Sequence, residues 1–551
     1  MTRARLTLCS LISLALAALF AATPACAAVS LARQGTATQI AVDGKPLLLL
    51  AGELGNSSPS SAAYMAPHWA RLRAMHLNTV VTPVSWELIE PQEGQFDWSN
   101  VDGLIAAARA NHLHLVLLWF GAWKNSMSTY VPGWVKRDED RFPRAQLPNG
   151  QGVEILSAFS PAVQAADSRA FAALMAHLKA VDGAQNTVLF VQVENEIGML
   201  PVARDYGPLA EAAFRQPVPP QLVRYLVDHH DALEPELKTL WEENGAKTAG
   251  GWQDLFGEGD AAAEIFTAWY YARYADAVAA AGKAAYPLPM YVNAALNRMG
   301  RAPGEYPSGG PTPHMLDVWK AGAPHLDWLA PDIYFPSFVD LATRFKRPDN
   351  PLFVPEGDNA DTTTVPANAF FAFGQLDAIG FGPFSVESID HASPEPALSK
   401  AYAVLDQLSP QILKAQGLGR MAGFKPRVLE DGTVIDMPVT QRLGDWRFNV
   451  SFVDVQSPKA GQDTAAHGGL IIQVGPDDYI VAGQGLVITV APVGPGGPLA
   501  GFDSVWEGVY DAEGRWVPGR LLNGDQIHQG RRLRLPPGEF QIQRVKLYRY
   551  R

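Results

Sequence analysis

The sequence predicts an α/β fold, a TIM (β/α)8 barrel followed by a small C-terminal β-sandwich. Eight short apolar runs alternate with helix-like segments as far as about residue 417, the pattern of repeated βα units. Two of these runs end in carboxylates: Glu194-Asn195-Glu196 after the fourth and Glu356-Gly357-Asp358 after the seventh. From about residue 418 helical periodicity stops, and β-branched runs set among Gly and Pro take over. The domains expected are a signal peptide at 1–27, a barrel at 28–417 and a β-sandwich at 418–551.

The strands are expected to begin near Leu47, Asn78, Leu113, Val188, Met290, Leu326, Leu352 and Ile379. The first follows a hairpin, Ile40-Ala41-Val42 turning at Asp43-Gly44. Residues 62–75, 101–111, 160–181, 262–282, 314–321, 337–345, 366–377 and 394–415 supply the helices. The largest insertion, about 200–260, follows the fourth strand and is expected as a wall or lid over the barrel's C-terminal face. Beyond 418, strands are expected at 433–435, 470–474, 479–481, 486–490 and 540–547.

Arg3 and Arg5, an apolar core at 11–22 and Ala25-Cys26-Ala27 fit a signal peptide, so the chain is expected to be exported, periplasmic or extracellular. No later stretch is long and apolar enough to span a membrane. Both cysteines, Cys9 and Cys26, fall within the signal, which excludes thiol chemistry and disulfides from the mature chain. Cys26 lacks the leucine three residues earlier that lipid attachment usually wants. The net charge of -12 and the lack of a basic stripe argue against nucleic acid. No His/Asp/Glu spacing suggests a metal, and no cofactor is expected; His112 and His114 start the third strand, on the face that serves stability.

Polar groups at the C-terminal ends of barrel strands open onto the face where such folds build their sites. Two carboxyls there are what glycosidic cleavage needs: one protonates the leaving oxygen, and the other attacks the anomeric carbon or activates water. Glu196 and Glu356 are the candidates. Glu194 competes with Glu196, since strand alternation puts both on one side. Asp358 and Glu387 compete with Glu356. Trp86, Trp119 and Trp123 either stack on sugar or pack in the core.

The stretch 191–198, Val-Gln-Val-Glu-Asn-Glu-Ile-Gly, resembles the signature of family 35 β-galactosidases, in the clan of retaining barrel glycosidases. Leu77-Asn78-Thr79-Val80 with Trp86 and Glu90-Pro91, and Ala51-Gly52-Glu53, resemble other segments of that family; the resemblance covers roughly 40–400. It implies Glu196 as acid/base, Glu356 as nucleophile and Asn195 on the sugar 2-hydroxyl. It places Tyr334 beside the nucleophile and Asn125 on the sugar. Glu387 is expected to hold a hydroxyl, with Glu53, Trp119 and Trp123 also lining the pocket. Ser126-Met127, Pro83 and Gly357 depart from the family pattern, so the pocket is altered. The activity implied is a retaining, exo-acting β-galactosidase on oligosaccharides, such as those from xyloglucan. The alternatives are a clan relative with another sugar preference and a non-catalytic carbohydrate-binding barrel. Activity is expected to survive both EDTA and thiol reagents; loss in EDTA restored by a divalent ion would contradict this reading.

Overall fold

Eight parallel strands form a closed ring: β1 (Leu49–Glu53), β2 (Thr79–Ser85), β3 (His114–Phe120), β4 (Val188–Val193), β5 (Met290–Ala295), β6 (Trp328–Asp332), β7 (Phe353–Val354) and β8 (Gly380–Phe381). The computed structural model describes residues 29–389, 395–458, 462–494 and 499–551. The expected signal segment, with both cysteines, lies outside the described residues. The ring closes between β6 and β7, where the Ile333 N–H donates to the Glu356 carbonyl at 2.8 Å.

Strand alternation decides what each residue faces. In β3, Val116, Leu118 and Phe120 fill the barrel with Phe190, Tyr291, Trp328 and Phe353. Leu115, Leu117 and Trp119 face outward to the helix layer, which includes α1 (Pro161–Asp182). The floor is plugged by an antiparallel meander, Val29–Gln34, Ala37–Val42 and Lys45–Leu47, whose Ile40 joins the barrel interior. Its first strand was not expected from the sequence. The helix expected at 62–75 is divided into Ala62–Met65 and Trp69–Ala74, because Pro67 lacks the N–H that continuation needs.

The insertion forms four short helices, Pro208–Phe214, Pro220–Asp228, Pro235–Glu243 and Trp252–Phe256. They pack on the barrel's flank. Trp252 lies edge-on to Phe266 of α2 (Asp260–Ala285), and the Glu234 N–H donates to Asp317 at 2.6 Å. Arg344 ties Glu234 and Glu236 to the helix after β6, which brings the insertion to the rim as a side wall. Among the described residues, none of its hydrogen bonds reaches the strand-end carboxylates, so the lid expectation finds no support.

Two antiparallel sheets form the C-terminal sandwich. The larger orders Met421–Phe424, Gly468–Gln473, Asp478–Gln484, Gln541–Tyr550, Leu499–Tyr510 and Trp516–Leu521. The smaller orders Val439–Leu443, Trp446–Ser451, Leu486–Pro492 and Leu533–Leu535. Trp446, Phe448, Tyr479, Val481 and Val545 fill the space between them.

The larger sheet also packs on barrel helix α3 (Val365–Leu376), where two glycines let the backbones approach. A Cβ on Gly374 would lie 2.8 Å from the Gly423 Cα, and one on Gly423 only 2.6 Å from the Gln375 nitrogen. Gly423→Val is therefore expected to cost about 1–3 kcal/mol, the range for overpacking, and calorimetry should show a lowered Tm. Truncation after residue 417 uncovers Phe370, which stacks on Phe540, and should give insoluble barrel. A soluble, fully active truncated protein would refute the structural role of the sandwich.

Candidate active site

Glu194 and Glu196 do not stay on one side. β4 ends at Val193, and both glutamates then take left-handed backbone conformations, φ 60° and 43°. That breaks the alternation on which a shared side depends. Glu194 turns behind the sheet, where its Oε2 accepts the Trp123 N–H at 2.8 Å. There it meets Asp167 of α1, which also accepts from Trp119 Nε1 at 2.8 Å and from the Tyr274 hydroxyl at 2.7 Å. Burial first, then Asp167, pushes the Glu194 carboxyl well above the usual range.

Glu196 turns to the mouth. Its N–H donates to Asn293 Oδ1 at 2.9 Å, and Asn293 Nδ2 donates to Asp332 Oδ2 at 2.6 Å and Asn195 Oδ1 at 3.1 Å. Glu196, Asp332 and Glu356, from the ends of β4, β6 and β7, each present a carboxylate oxygen within 4.8 Å of the others. The Tyr334 hydroxyl donates to Glu356 Oε2. Glu53, at the end of β1, completes the group beside Glu356.

Four carboxyls crowded out of water cannot all ionise. Burial, reinforced by Glu356, holds the Glu53 and Asp332 carboxyls well above the usual range. Glu196 is pushed up to about 7 by burial and by Glu356. Burial also raises Glu356, but donors from Tyr334 and Glu53 and the ammonium of Lys124 act against that rise. Hydrogen bonds to the charged form favour ionisation, so Glu356 is the member best equipped to carry the negative charge. Burial and Glu356 together push the Tyr334 phenol up, which keeps it a donor.

The remaining predicted residues sit elsewhere or do other work. Trp119 and Trp123 have no exposed surface. Trp119 points outward from β3 by alternation, and Trp123 packs on Tyr271 and Tyr274, so neither presents a face to a sugar. Trp86 is buried as well, against Trp119 and Trp134. Asn195 is buried, its Oδ1 accepting from Gln192 and Asn293 and its Nδ2 donating to the Lys124 carbonyl at 2.8 Å. Asn125 closes its own turn, its Oδ1 accepting from the Met127 N–H and the Ser128 hydroxyl. Glu387 braces the loop after β1 through the Gly55 N–H at 3.0 Å and the Ser58 hydroxyl. Asp358 accepts from Asn359 and Thr362 in its own loop.

Three participants escaped the sequence reading: Asp332, Asn293 and Lys124. Asp332 stands two residues before Tyr334 at a strand end, a visible signal. Asn293 is the polar residue that interrupts the apolar run of β5. Lys124 had no signal beyond its place after β3.

Residues 62–244 match the family model described as Beta-galactosidase, that of glycoside hydrolase family 42 rather than family 35. Residues 398–534 match a domain of unknown function, DUF5597. Over 83 residues the chain is 41% identical to a β-galactosidase of Xanthomonas manihotis, a match covering 14% of this chain and 14% of that protein. The chain thus matches only a small part of its curated relative. Among solved structures, a β-galactosidase from the psychrophilic Marinomonas ef1 aligns at TM-score 0.45 and 12% identity, over 67% of this chain and 61% of that one. One from Bacillus circulans sp. alkalophilus aligns at TM-score 0.44 and 16% identity, over 67% and 57%. The catalytic domain of a β-amylase from Paenibacillus polymyxa aligns at TM-score 0.45 and 12% identity, over 67% and 98%.

The raised Glu196 carboxyl sets a stability prediction. The folded chain holds this proton more tightly than the unfolded chain, so stability falls as pH rises from about 4.5 to about 7 and is level beyond. Glu196→Gln removes that cost. Denaturant unfolding should show it more stable than the native protein by up to ~3 kcal/mol above about pH 7, with the difference vanishing below about pH 4.5. A difference that does not change with pH would contradict the burial-driven shift.

Proposed function

We propose that the chain is a retaining, exo-acting β-galactosidase that removes terminal β-D-galactosyl residues from oligosaccharides. One observation carries the reading. Oxygens of Glu196 and Glu356, from the fourth and seventh strand ends, approach within 4.8 Å. Retaining enzymes hold their two carboxyls about 5–5.5 Å apart, and inverting ones about 6.5–9.5 Å. Galactose as the sugar is supported by the two partial matches to β-galactosidases. The family 35 assignment rests on 191–198 and is part of the proposal, as are export and a xyloglucan-derived substrate.

In the first step a Glu356 oxygen attacks the anomeric carbon and the glycosidic bond breaks. The leaving oxygen takes the Glu196 proton. Glu196, with its carboxyl raised to about 7, still holds that proton in mildly acidic solution. In the second step Glu196 removes a proton from water, whose oxygen displaces Glu356 from the sugar. Tyr334 bonds the charged form of Glu356 and releases it as the sugar ester forms. The second N–H of Asn195 is assigned to the sugar 2-hydroxyl, a contact that strengthens in the transition state.

The two glutamates should fail differently. Glu356→Ala should abolish turnover of every substrate. Glu196→Ala should spare the first step for a nitrophenyl galactoside, giving a burst and then slow turnover. It should slow natural oligosaccharides by about 10²–10⁴-fold, the usual worth of general acid–base catalysis. Azide needs no base, so it should restore Glu196→Ala turnover and yield the β-galactosyl azide. With Glu356→Ala any rescue should give the α-azide. Reversed anomers would exchange the roles, and an inverted first product in the native enzyme would end the retaining reading.

A further inference from the structure

Beside the carboxyl cluster lies a cleft of about 740 Å³ that the two-glutamate chemistry does not use. It is bounded by the loops after β5 and β6, by the insertion and by the C-terminal domain. Its walls include Asn297, Met299, Phe335, Leu429 and Asp431. We propose that this cleft binds the leaving-group portion of a neutral oligosaccharide, so that the C-terminal domain takes part in substrate recognition. The proposal rests on the galactosidase reading and adds what the enzyme accepts beyond the terminal sugar.

Continuity with the reacting centre is the first argument. β5 and β6 pair with Ala295 opposite Asp332, so the two loops leave the barrel side by side at the carboxyl cluster. Asn297 follows Ala295 by two residues, and Phe335 follows directly after Tyr334, whose hydroxyl bonds Glu356. At about 3.3 Å per extended residue, both wall residues start within about 10 Å of the strand ends. A chain leaving the anomeric carbon enters this space.

The lining supplies the second argument. Phe335 is half-buried and Met299 is 84% exposed, which gives flat or pliable apolar surface for the C–H faces of pyranose rings. Asn297 and Ser337 add neutral hydrogen-bonding groups. The charged lining is Glu236, Asp340, Glu430 and Asp431 against Arg344 and Arg427, four acids to two bases. An anionic glycan would meet net repulsion, whereas a neutral one meets hydrogen-bonding partners. The volume lies within the range of small-molecule sites, about 300–1,000 Å³.

The third argument is the domain contact that builds the cleft. Arg427 donates to both oxygens of Asp340, at 2.8 and 2.9 Å, and so fixes the C-terminal segment to the helix after β6. A short ribbon, Arg427–Val428 paired with Val434–Ile435, carries Leu429, Glu430 and Asp431 between its strands. These residues fall within the stretch that matches the domain of unknown function.

The test uses the full chain and β-1,4-linked galacto-oligosaccharides of increasing length. For the native enzyme kcat/KM should rise about ten-fold or more from dimer to tetramer, each ten-fold gain corresponding to about 1.4 kcal/mol. Phe335→Ala and Asp431→Ala should lower the ratio of tetramer to nitrophenyl galactoside kcat/KM by a similar factor. Leu499→Ala, exposed at a distant edge of the sandwich, should leave the ratio as it is. A native kcat/KM that does not change with length overturns the cleft proposal while the galactosidase reading stands. If no galactoside is cleaved, the galactosidase reading fails, and titration of galactotetraose onto the native protein decides the cleft alone. Binding weakened about ten-fold by Phe335→Ala supports the cleft, and unchanged or absent binding overturns it.

Discussion

The mutual repulsion of four buried carboxyls is the constraint around which the barrel's mouth is built. Two unit charges 4 Å apart interact by about 4 kcal/mol at the effective dielectric of a protein surface. Glu53, Glu196, Asp332 and Glu356 could not all ionise at that spacing without opening the strand ends that carry them. The structure answers with donors placed unequally. Glu356 receives Tyr334 and lies in the field of Lys124, whereas one oxygen each of Glu53 and Asp332 has no hydrogen-bond partner. An unpartnered buried oxygen is costly as a carboxylate and much less so as a neutral acid. The charge therefore settles on Glu356, and its neighbours hold protons.

A second pair of carboxyls repeats the device behind the wall. Glu194 and Asp167 meet where a Cβ on Gly121 would lie 2.8 and 2.9 Å from their oxygens. Glu194 Oε1 finds no donor among its neighbours, and a proton shared with Asp167 supplies one. Glu194 in turn fixes the Trp123 N–H, and the Trp123 carbonyl accepts from the Asn195 N–H at 3.2 Å. The residue next to Glu196 is thus anchored from the far side of the sheet. Of the two glutamates in one short motif, one bears on the mouth and the other on the frame.

The strand order, the carboxylates at strand ends and the change to a sandwich were all legible, because period and punctuation report them directly. The aromatic residues were not. Trp119 sits in a strand whose two sides are both buried, and an apolar run on both faces carries no alternation to tell barrel from helix layer. Trp123 and Glu194 lie just past strand ends, where left-handed residues reset the direction of every side chain that follows. Pro67 could have been used to divide its helix, since a helix-interior proline has one well-defined effect. Asp332 needed only the strand periodicity already applied to Tyr334.

The C-terminal domain shows why an accessory fold can share in a site without supplying its chemistry. Its sheet presses on α3 at two glycines, so close that neither position has room for a methyl group. Such a contact transmits position, since backbones at van der Waals distance cannot slide without clashing. From that fixed base the ribbon at Arg427 reaches the helix after β6, whose loop begins at Asp332 and carries Tyr334. The same short segment of barrel therefore contacts the nucleophile on one side and the second domain on the other. Leaving-group recognition needs that rigidity more than it needs further charge. A wall on a loosely tethered domain would spend its contacts on ordering itself, whereas one locked to the barrel can apply them to the substrate.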